Sequence, residues 1–180
     1  AIPVKPLKEG HDSETLYLNS LHYTDACIGD FIDQARKKSW WKNTLVVITA
    51  DHGSMMPGNS GVEDLQKYHI PMLMLGGALS TTDTVIHTVT GQTNIAATIL
   101  AQYGLSTSGF PFSTNILTRQ PVPGAFFTYS GGAGYYDGQT LCIYNTMASK
   151  FNDNSPGEQL HRQRIAKAML QHLYDDFSRR

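Results

Sequence analysis

The chain has 180 residues, of which 41% are hydrophobic and 16% are charged, and its formal net charge is -1. This length and composition suffice for a globular domain with a sizeable core. The balanced charge and the lack of a long basic run exclude the electrostatic footprint of a protein that binds nucleic acid or an anionic membrane surface. No stretch reaches the ~20 consecutive apolar residues that a membrane-spanning helix requires.

The first half of the chain predicts a helix and two short strands. Apolar residues at three- and four-residue steps predict an amphipathic helix over residues 13–38, with Asp12 or Ser13 as its N-terminal cap. Residues 44–50 are almost wholly apolar and rich in β-branched side chains, which is typical of a strand buried on both faces of a parallel sheet. A second apolar strand is predicted over residues 70–75.

The second half predicts a helix over residues 92–103 and two antiparallel strands near residues 125–129 and 139–144. The Asp-Gly pair between these strands is a strong hairpin signal. A capping box at residues 155–158, with proline at the first helical position, predicts a closing helix that ends near Phe177. This order predicts an α/β fold with three α/β/α layers, a partial and mostly parallel sheet, and a small C-terminal antiparallel hairpin subdomain.

Asp51, His52 and Gly53 follow the first predicted strand directly, which places them where ligands gather in open α/β sheets. A carboxylate beside an imidazole offers a hard oxygen and a borderline nitrogen, a combination that suits a divalent cation. Gly53 allows the backbone to turn sharply, so that both side chains can face one point. An ordinary polar corner between a strand and a loop would show the same residues, so the spacing alone leaves both interpretations open.

Four segments in the same order resemble motifs of the sulfatase and lipoteichoic acid synthase group in the alkaline phosphatase superfamily. The sharpest is NTLVVITADHG, at residues 43–53, which is similar to the family's strand ending in Asp-His-Gly. Residues 17–32 resemble the helix before that strand in lipoteichoic acid synthases. Residues 69–72 (HIPM) and 92–100 (QTNIAATIL) resemble the strand and the helix that follow it.

The resemblance implies that Asp51 and His52 are ligands of a divalent metal cation, which would be manganese, calcium, magnesium or zinc. It also implies that His69 contacts the phosphate or sulfate of the substrate, although a solvent-facing loop histidine is an equally good interpretation. The family's nucleophile is a threonine or a cysteine-derived formylglycine. Neither Cys27 nor Cys142 lies in a Cys-x-Pro-Ser-Arg motif, so the catalytic nucleophile is expected outside this chain.

Two positions depart from the family pattern, because Asn94 stands where aspartate is usual and Ala97 where proline is usual. Both are predicted on a helix away from the metal ligands, so they bear on local capping more than on chemistry. By resemblance, residues 1–120 are the C-terminal part of the sulfatase-like α/β domain. Residues 121–180 are the hairpin and the closing helix.

The sequence therefore predicts part of an enzyme that acts on phosphate or sulfate esters, including lipid- or glycan-linked ones. Phosphoglycerol transferases of the lipoteichoic acid synthase type are the best match; a true sulfuric ester hydrolase and a non-catalytic binding module on the same fold remain alternatives. The expected partner is a missing N-terminal half of the same protein, and an exposed apolar surface would also favour self-association. No nucleic-acid partner is expected. The resemblance implies the extracytoplasmic catalytic domain of a membrane-anchored bacterial protein.

Overall fold

The computed structural model describes residues 4–58, 61, 64–80, 83–118, 124–152 and 159–180. The chain divides into two compact units, Ala1–Thr84 and Val85–Arg180. The predicted division after residue 120 rests on family resemblance and stays a prediction. The mixed helix-and-sheet fold class is confirmed, whereas the predicted three-layer arrangement stays a prediction.

The first unit begins with helix α1, Ser13–Ala35, whose start is fixed by Asp12 as predicted. The Asp12 carboxylate accepts hydrogen bonds from the Thr15 hydroxyl at 2.6 Å and the Thr15 backbone N–H at 2.9 Å. The hydroxyl bond is the main reason that the pKa of Asp12 lies below its ordinary value. One turn later, the Asn19 side chain bonds both the N–H and the carbonyl of Lys8, which ties the lead-in segment to the helix.

A 3₁₀ turn at Ser39–Asn43 leads from α1 into strand β1, Val46–Thr49, which pairs with β2, Met72–Leu75. The pairing is antiparallel, with Val46 opposite Leu75 and Thr49 opposite Met72. The prediction of a mostly parallel sheet is therefore wrong for these strands. A parallel pair needs a crossover, usually a helix, and the described part of this connection contains only a 3₁₀ turn, Leu65–Tyr68.

The second unit contains helix α2, Ile95–Gln102, and four strands in sequential antiparallel order. The strands are β3 (Ala125–Tyr129), β4 (Gly132–Tyr136), β5 (Leu141–Asn145) and β6 (Lys150–Asn152). The predicted C-terminal antiparallel subdomain is confirmed, and it has more strands than the two expected. Strand β4 begins with glycine-rich residues that follow β3. Its glycines leave room for aromatic rings of β3, because a Cβ at Gly132 would meet the Tyr129 ring and a Cβ at Gly134 would meet the Phe127 ring.

The two departures from the family pattern have a structural role in this unit. The Asn94 amide donates to the Thr90 hydroxyl at 2.6 Å, and its carbonyl oxygen accepts from the Thr114 N–H at 2.9 Å. The Ala97 N–H donates to the Ser113 hydroxyl at 2.9 Å, a bond that proline could not make. Both residues therefore bind the segment after α2 to the start of that helix.

Strand β4 provides a prediction about packing at Gly134. A Cβ at this position would lie 2.2 Å from the Phe127 ring, closer than any real contact. We expect Gly134→Ala to lower the free energy of unfolding by about 1–3 kcal/mol, because the ring must leave its rotamer or the strands must separate. Gly109→Ala is the control, since a Cβ there meets nothing within 4 Å. Urea unfolding followed by circular dichroism measures both; equal stability of the two variants would contradict the packing argument.

Helix α3, Gln159–Ser178, follows the sheet in this unit. Its Arg162 is 5% exposed and lies 3.5 Å from the Asp137 carboxylate in the turn between β4 and β5. The Lys167 ammonium lies 5.7 Å from the ring centre of Tyr144 and 5.4 Å from that of Phe151. These contacts attach the helix to the sheet. The predicted capping box at residues 155–158 lies outside the described residues.

Candidate metal and ester site

The side chains of Asp51 and His52 lie side by side just beyond the carboxyl end of β1. They are 89% and 81% exposed, and the His52 Nε2 is 3.6 Å from an Asp51 carboxylate oxygen. Two ligand atoms on one tetrahedral ion at a radius of about 2.0–2.1 Å lie roughly 3.3 Å apart. The observed separation is close to that value, so the two side chains are near enough to share one cation.

The hydrogen bonds of His52 fix the orientation of its imidazole ring. The ring Nδ1 lies 2.8 Å from the Gly53 carbonyl oxygen. A carbonyl can only accept, so this bond requires the proton on Nδ1 and leaves the lone pair of a neutral imidazole on Nε2. Histidine ligands in metal sites usually have such a partner behind the ring, which fixes the tautomer and the ring orientation. The His52 N–H also donates to the Asp51 carboxylate at 3.0 Å, which orients the first candidate ligand.

The antiparallel pairing brings the third predicted site residue to the same end of the sheet. His69 is exposed and ends the 3₁₀ turn Leu65–Tyr68, just before β2. Because Thr49 lies opposite Met72, the segment after β1 runs beside the segment before β2. The close approach at Gly53 confirms this course: a Cβ there would lie 1.5 Å from the Lys67 carbonyl oxygen. The pairing thus places Asp51, His52 and His69 at the same end of the two-stranded sheet.

Glycine at position 53 has a second role that the sequence did not predict. The sequence indicated only backbone freedom for the turn, whereas the structure shows a contact with Lys67 that excludes any side chain. Lys67 and Tyr68 consequently border the candidate site, although neither was singled out from the sequence. An antiparallel register for the two strands would have indicated them, but the apolar strand pattern favoured a parallel arrangement.

The residues fit a divalent cation in kind but not in number. Asp51 supplies a carboxylate and His52 an oriented imidazole, a donor pair accepted by zinc, manganese and related ions. Within the part of the chain that the structure describes, no group of three or more histidine, cysteine, aspartate or glutamate side chains is arranged to hold a metal. Four to six positions around such ions must be filled, so two protein ligands make an incomplete site.

The two cysteines lie in different surroundings. Cys27 is exposed, Cys142 is buried, and no disulfide joins them among the described residues. The described helices include none that is both apolar and long enough to cross a bilayer.

Comparison with a solved structure shows which known fold the chain shares. The chain superposes on the crystal structure of a protein in the alkaline phosphatase superfamily from Vibrio parahaemolyticus, with a TM-score of 0.72 and 19% sequence identity. The match covers 97% of this chain but 45% of that one, so the chain spans less than half the length of the structure that it resembles. The fold is thus that of the alkaline phosphatase superfamily.

The family is shown by sequence. The sulfatase family profile matches residues 7–105, which include α1, both strands of the first unit, all three candidate site residues and α2. The chain belongs to the sulfatase family. Members of this family and superfamily typically use divalent metals, which agrees with the donor types found after β1.

Proposed function

We propose that this chain is the C-terminal part of a metal-dependent enzyme that cleaves or transfers phosphate or sulfate esters. The observation that carries the proposal is the Asp51 and His52 pair, in a sulfatase-family chain, with Nε2 oriented outward and 3.6 Å from the carboxylate. Exposed side chains at the end of a strand are accessible to a substrate as well as to an ion. The nucleophile is proposed to come from polypeptide outside these residues.

In this proposal, each candidate site residue has a separate role. The Asp51 carboxylate and the His52 Nε2 hold the cation, and the Gly53 carbonyl keeps the imidazole in the required tautomer. The bound cation would supply charge stabilisation for the ester oxygens. His69, exposed at the same end of the sheet, would contact the phosphate or sulfate group of the substrate.

The most specific form of the proposal is a phosphoglycerol transferase of the lipoteichoic acid synthase type. It is supported by the likeness of residues 17–32 and 43–53 to those enzymes. Its substrates would include lipid- or glycan-linked esters, and the complete protein would be membrane-anchored, bacterial and extracytoplasmic. The alternative of a sulfuric ester hydrolase is supported by the family match itself. A non-catalytic binding module is supported by the incomplete ligand set.

A substrate panel distinguishes these functions. The complete encoded protein is assayed with bis-p-nitrophenyl phosphate and p-nitrophenyl sulfate, in the presence of manganese, calcium, magnesium or zinc. Metal-dependent cleavage of the phosphodiester supports the transferase class, whereas preferential cleavage of the sulfate ester supports a sulfatase. No turnover of either ester with any of the ions would favour the binding module and contradict the proposed enzyme.

Metal binding by the 180-residue chain should be weak and should require both candidate ligands. Only two protein atoms replace water around the ion, so we expect a Kd of about 1 mM or weaker, as in the weakest natural calcium sites. Asp51→Ala and His52→Ala should each abolish the binding. Isothermal titration with manganese, calcium and zinc measures the affinity, with Asp30→Ala on α1 as an exposed carboxylate control. Binding that survives in both site variants would place the metal elsewhere.

A further inference from the structure

The charges of the first unit are divided sharply at the end of α1. The helix carries Glu14, Asp25, Asp30 and Asp33 but no lysine or arginine. The seven residues after the helix, 36–42, have the sequence RKKSWWK, in which four residues are cationic, two are tryptophans and none is acidic. This segment is termed the basic turn. The formal net charge of -1 for the whole chain is therefore an average that conceals a local excess of positive charge.

The backbone of the basic turn is fixed to one end of the two-stranded sheet. The Trp41 carbonyl accepts hydrogen bonds from the N–H groups of Thr44 and Gly77, both at 3.1 Å. The Thr44 hydroxyl donates to the Trp40 carbonyl at 2.9 Å. A Cβ at Gly77 would lie 2.5 Å from the Lys42 Cα, so the segment after β2 packs directly against the turn. These backbone contacts hold the turn in place and leave recognition to its side chains.

The side chains of the basic turn combine exposed charge with an exposed aromatic ring. Lys37, Lys38 and Lys42 are exposed, and none of them forms an ion pair within the described part of the chain. Trp40 is 47% exposed, and its ring centre lies 6.4 Å from that of the half-buried Trp41. The dipole of α1 gives these charges a limited role, because the last turn of the helix contains no basic residue and the effect falls off beyond that turn.

This combination indicates the chemistry of a ligand. Ammonium groups bind sulfate and phosphate as point charges. The flat face of an indole packs against the apolar face of a sugar ring, and its N–H can donate to a hydroxyl group. A membrane surface fits less well, because interfacial segments bury an apolar face several residues wide, whereas Trp40 is the only large hydrophobic residue of the basic turn that is exposed.

We propose that the basic turn binds an anionic glycan, a sugar polymer that carries sulfate or phosphate groups, with Trp40 against a sugar ring and the three lysines around the anionic groups. The turn precedes β1, whereas Asp51 and His52 follow it, so the two sites lie at opposite ends of the strand. At about 3.3 Å per extended residue, roughly 20 Å separates them. An extended polymer can reach both sites. That connection rests on the proposed function, whereas glycan binding at the turn does not.

Binding of fluorescently labelled dextran sulfate to the complete encoded protein tests the proposal. Fluorescence anisotropy should show saturable binding that weakens with salt, and labelled neutral dextran should not bind. We expect Lys37→Gln/Lys38→Gln/Lys42→Gln to raise the Kd by about 10-fold or more, because three exposed charges are lost. Trp40→Ala should raise it by about 10-fold, as expected for the loss of one stacking platform.

The matched control is Lys5→Gln/Lys8→Gln/Lys150→Gln, which removes the same charge from exposed lysines elsewhere. It should bind dextran sulfate like the parent, and circular dichroism should be the same for all variants. Equal losses in the two triple variants would overturn the proposal. Polyglutamate has negative charge but no sugar, so it should bind more weakly than dextran sulfate and should not respond to Trp40→Ala. Equal binding of the two polymers, or binding only to phosphatidylglycerol vesicles, would also overturn it.

Ester turnover separates this inference from the proposed function. The triple variant of the basic turn should cleave p-nitrophenyl esters at the parent rate, because the turn lies away from Asp51. Dextran sulfate binding at the turn in a protein without ester turnover would support this inference and remove the proposed function. Full ester turnover without dextran sulfate binding would overturn this inference and leave the proposed function standing.

Discussion

Asp51→Ala in the complete protein is expected to reduce ester turnover by about 10³-fold or more while leaving the fold intact. The substitution removes one of the two proposed cation ligands of this chain. Charge stabilisation by a metal is worth several kcal/mol in such reactions, so turnover should fall steeply. The fold should survive because the Asp51 side chain is 89% exposed and contributes little packing. Initial rates with a chromogenic ester, at saturating metal, measure the effect.

The control for this prediction is Asp30→Ala, which removes an exposed carboxylate from α1. It should retain full turnover, and both variants should show the circular dichroism and the melting temperature of the parent. His52→Ala should match Asp51→Ala, because either change leaves a single protein ligand from this chain. Full activity in Asp51→Ala would show that the metal assignment at the end of β1 is wrong.

The second large effect is expected at Asp137 in the turn between β4 and β5. One carboxylate oxygen accepts from the Thr140 N–H at 2.7 Å and the Gln139 N–H at 2.8 Å, while the other faces the buried Arg162. We expect Asp137→Ala to lower the free energy of unfolding by about 2–3 kcal/mol. A fully buried pair loses about 3–5 kcal/mol, and the Asp137 side chain is 26% exposed, so screening reduces the effect.

Asp137→Asn separates the charge from the hydrogen bonds of the turn, because its amide oxygen can still accept from both N–H groups. It should lose about 1–2 kcal/mol, the part due to the ionic contact with Arg162. The matched control is Asp176→Asn, which removes an exposed i,i+4 pair with Arg180 on α3 and should change stability by about 0.5 kcal/mol or less. Urea unfolding at pH 7 measures all three variants; equal losses at positions 137 and 176 would contradict the buried-pair argument.

The stability difference between the parent and Asp137→Asn should depend on pH. Burial raises the pKa of Asp137, but the N–H groups of Thr140 and Gln139 and the Arg162 guanidinium outweigh it and hold the pKa below the ordinary 3.8. A carboxylate with a lowered folded pKa stabilises the fold above its unfolded pKa of about 3.9, and this contribution is lost as the pH falls through the folded value. The difference should therefore be constant near neutral pH and shrink below about pH 4. A difference that persists at pH 2 would assign the effect to shape instead of charge.

Local patterns in the sequence were enough for the elements themselves. The helix start at Asp12, the strand before Asp51 and two of the four antiparallel C-terminal strands were predicted from residues close together in the chain. Capping, β-branched runs and Asp-Gly turns act through neighbours, so their consequences can be predicted without the tertiary fold. Helix α1 was predicted three residues too long, to residue 38, because the basic residues after Ala35 fit a helix end as well as a turn.

The sequence by itself determined the family, the helix-and-sheet class and the identity of the candidate ligands, because these depend on residue types at short spacings. Only the tertiary structure decided the antiparallel pairing of β1 with β2, the contact of Gly53 with Lys67 and the tautomer-fixing bond of His52. It also decided that Asp25 on α1 is exposed. Pairing direction and burial depend on which distant segments meet, and the same apolar strand pattern is compatible with either direction until its neighbour is known.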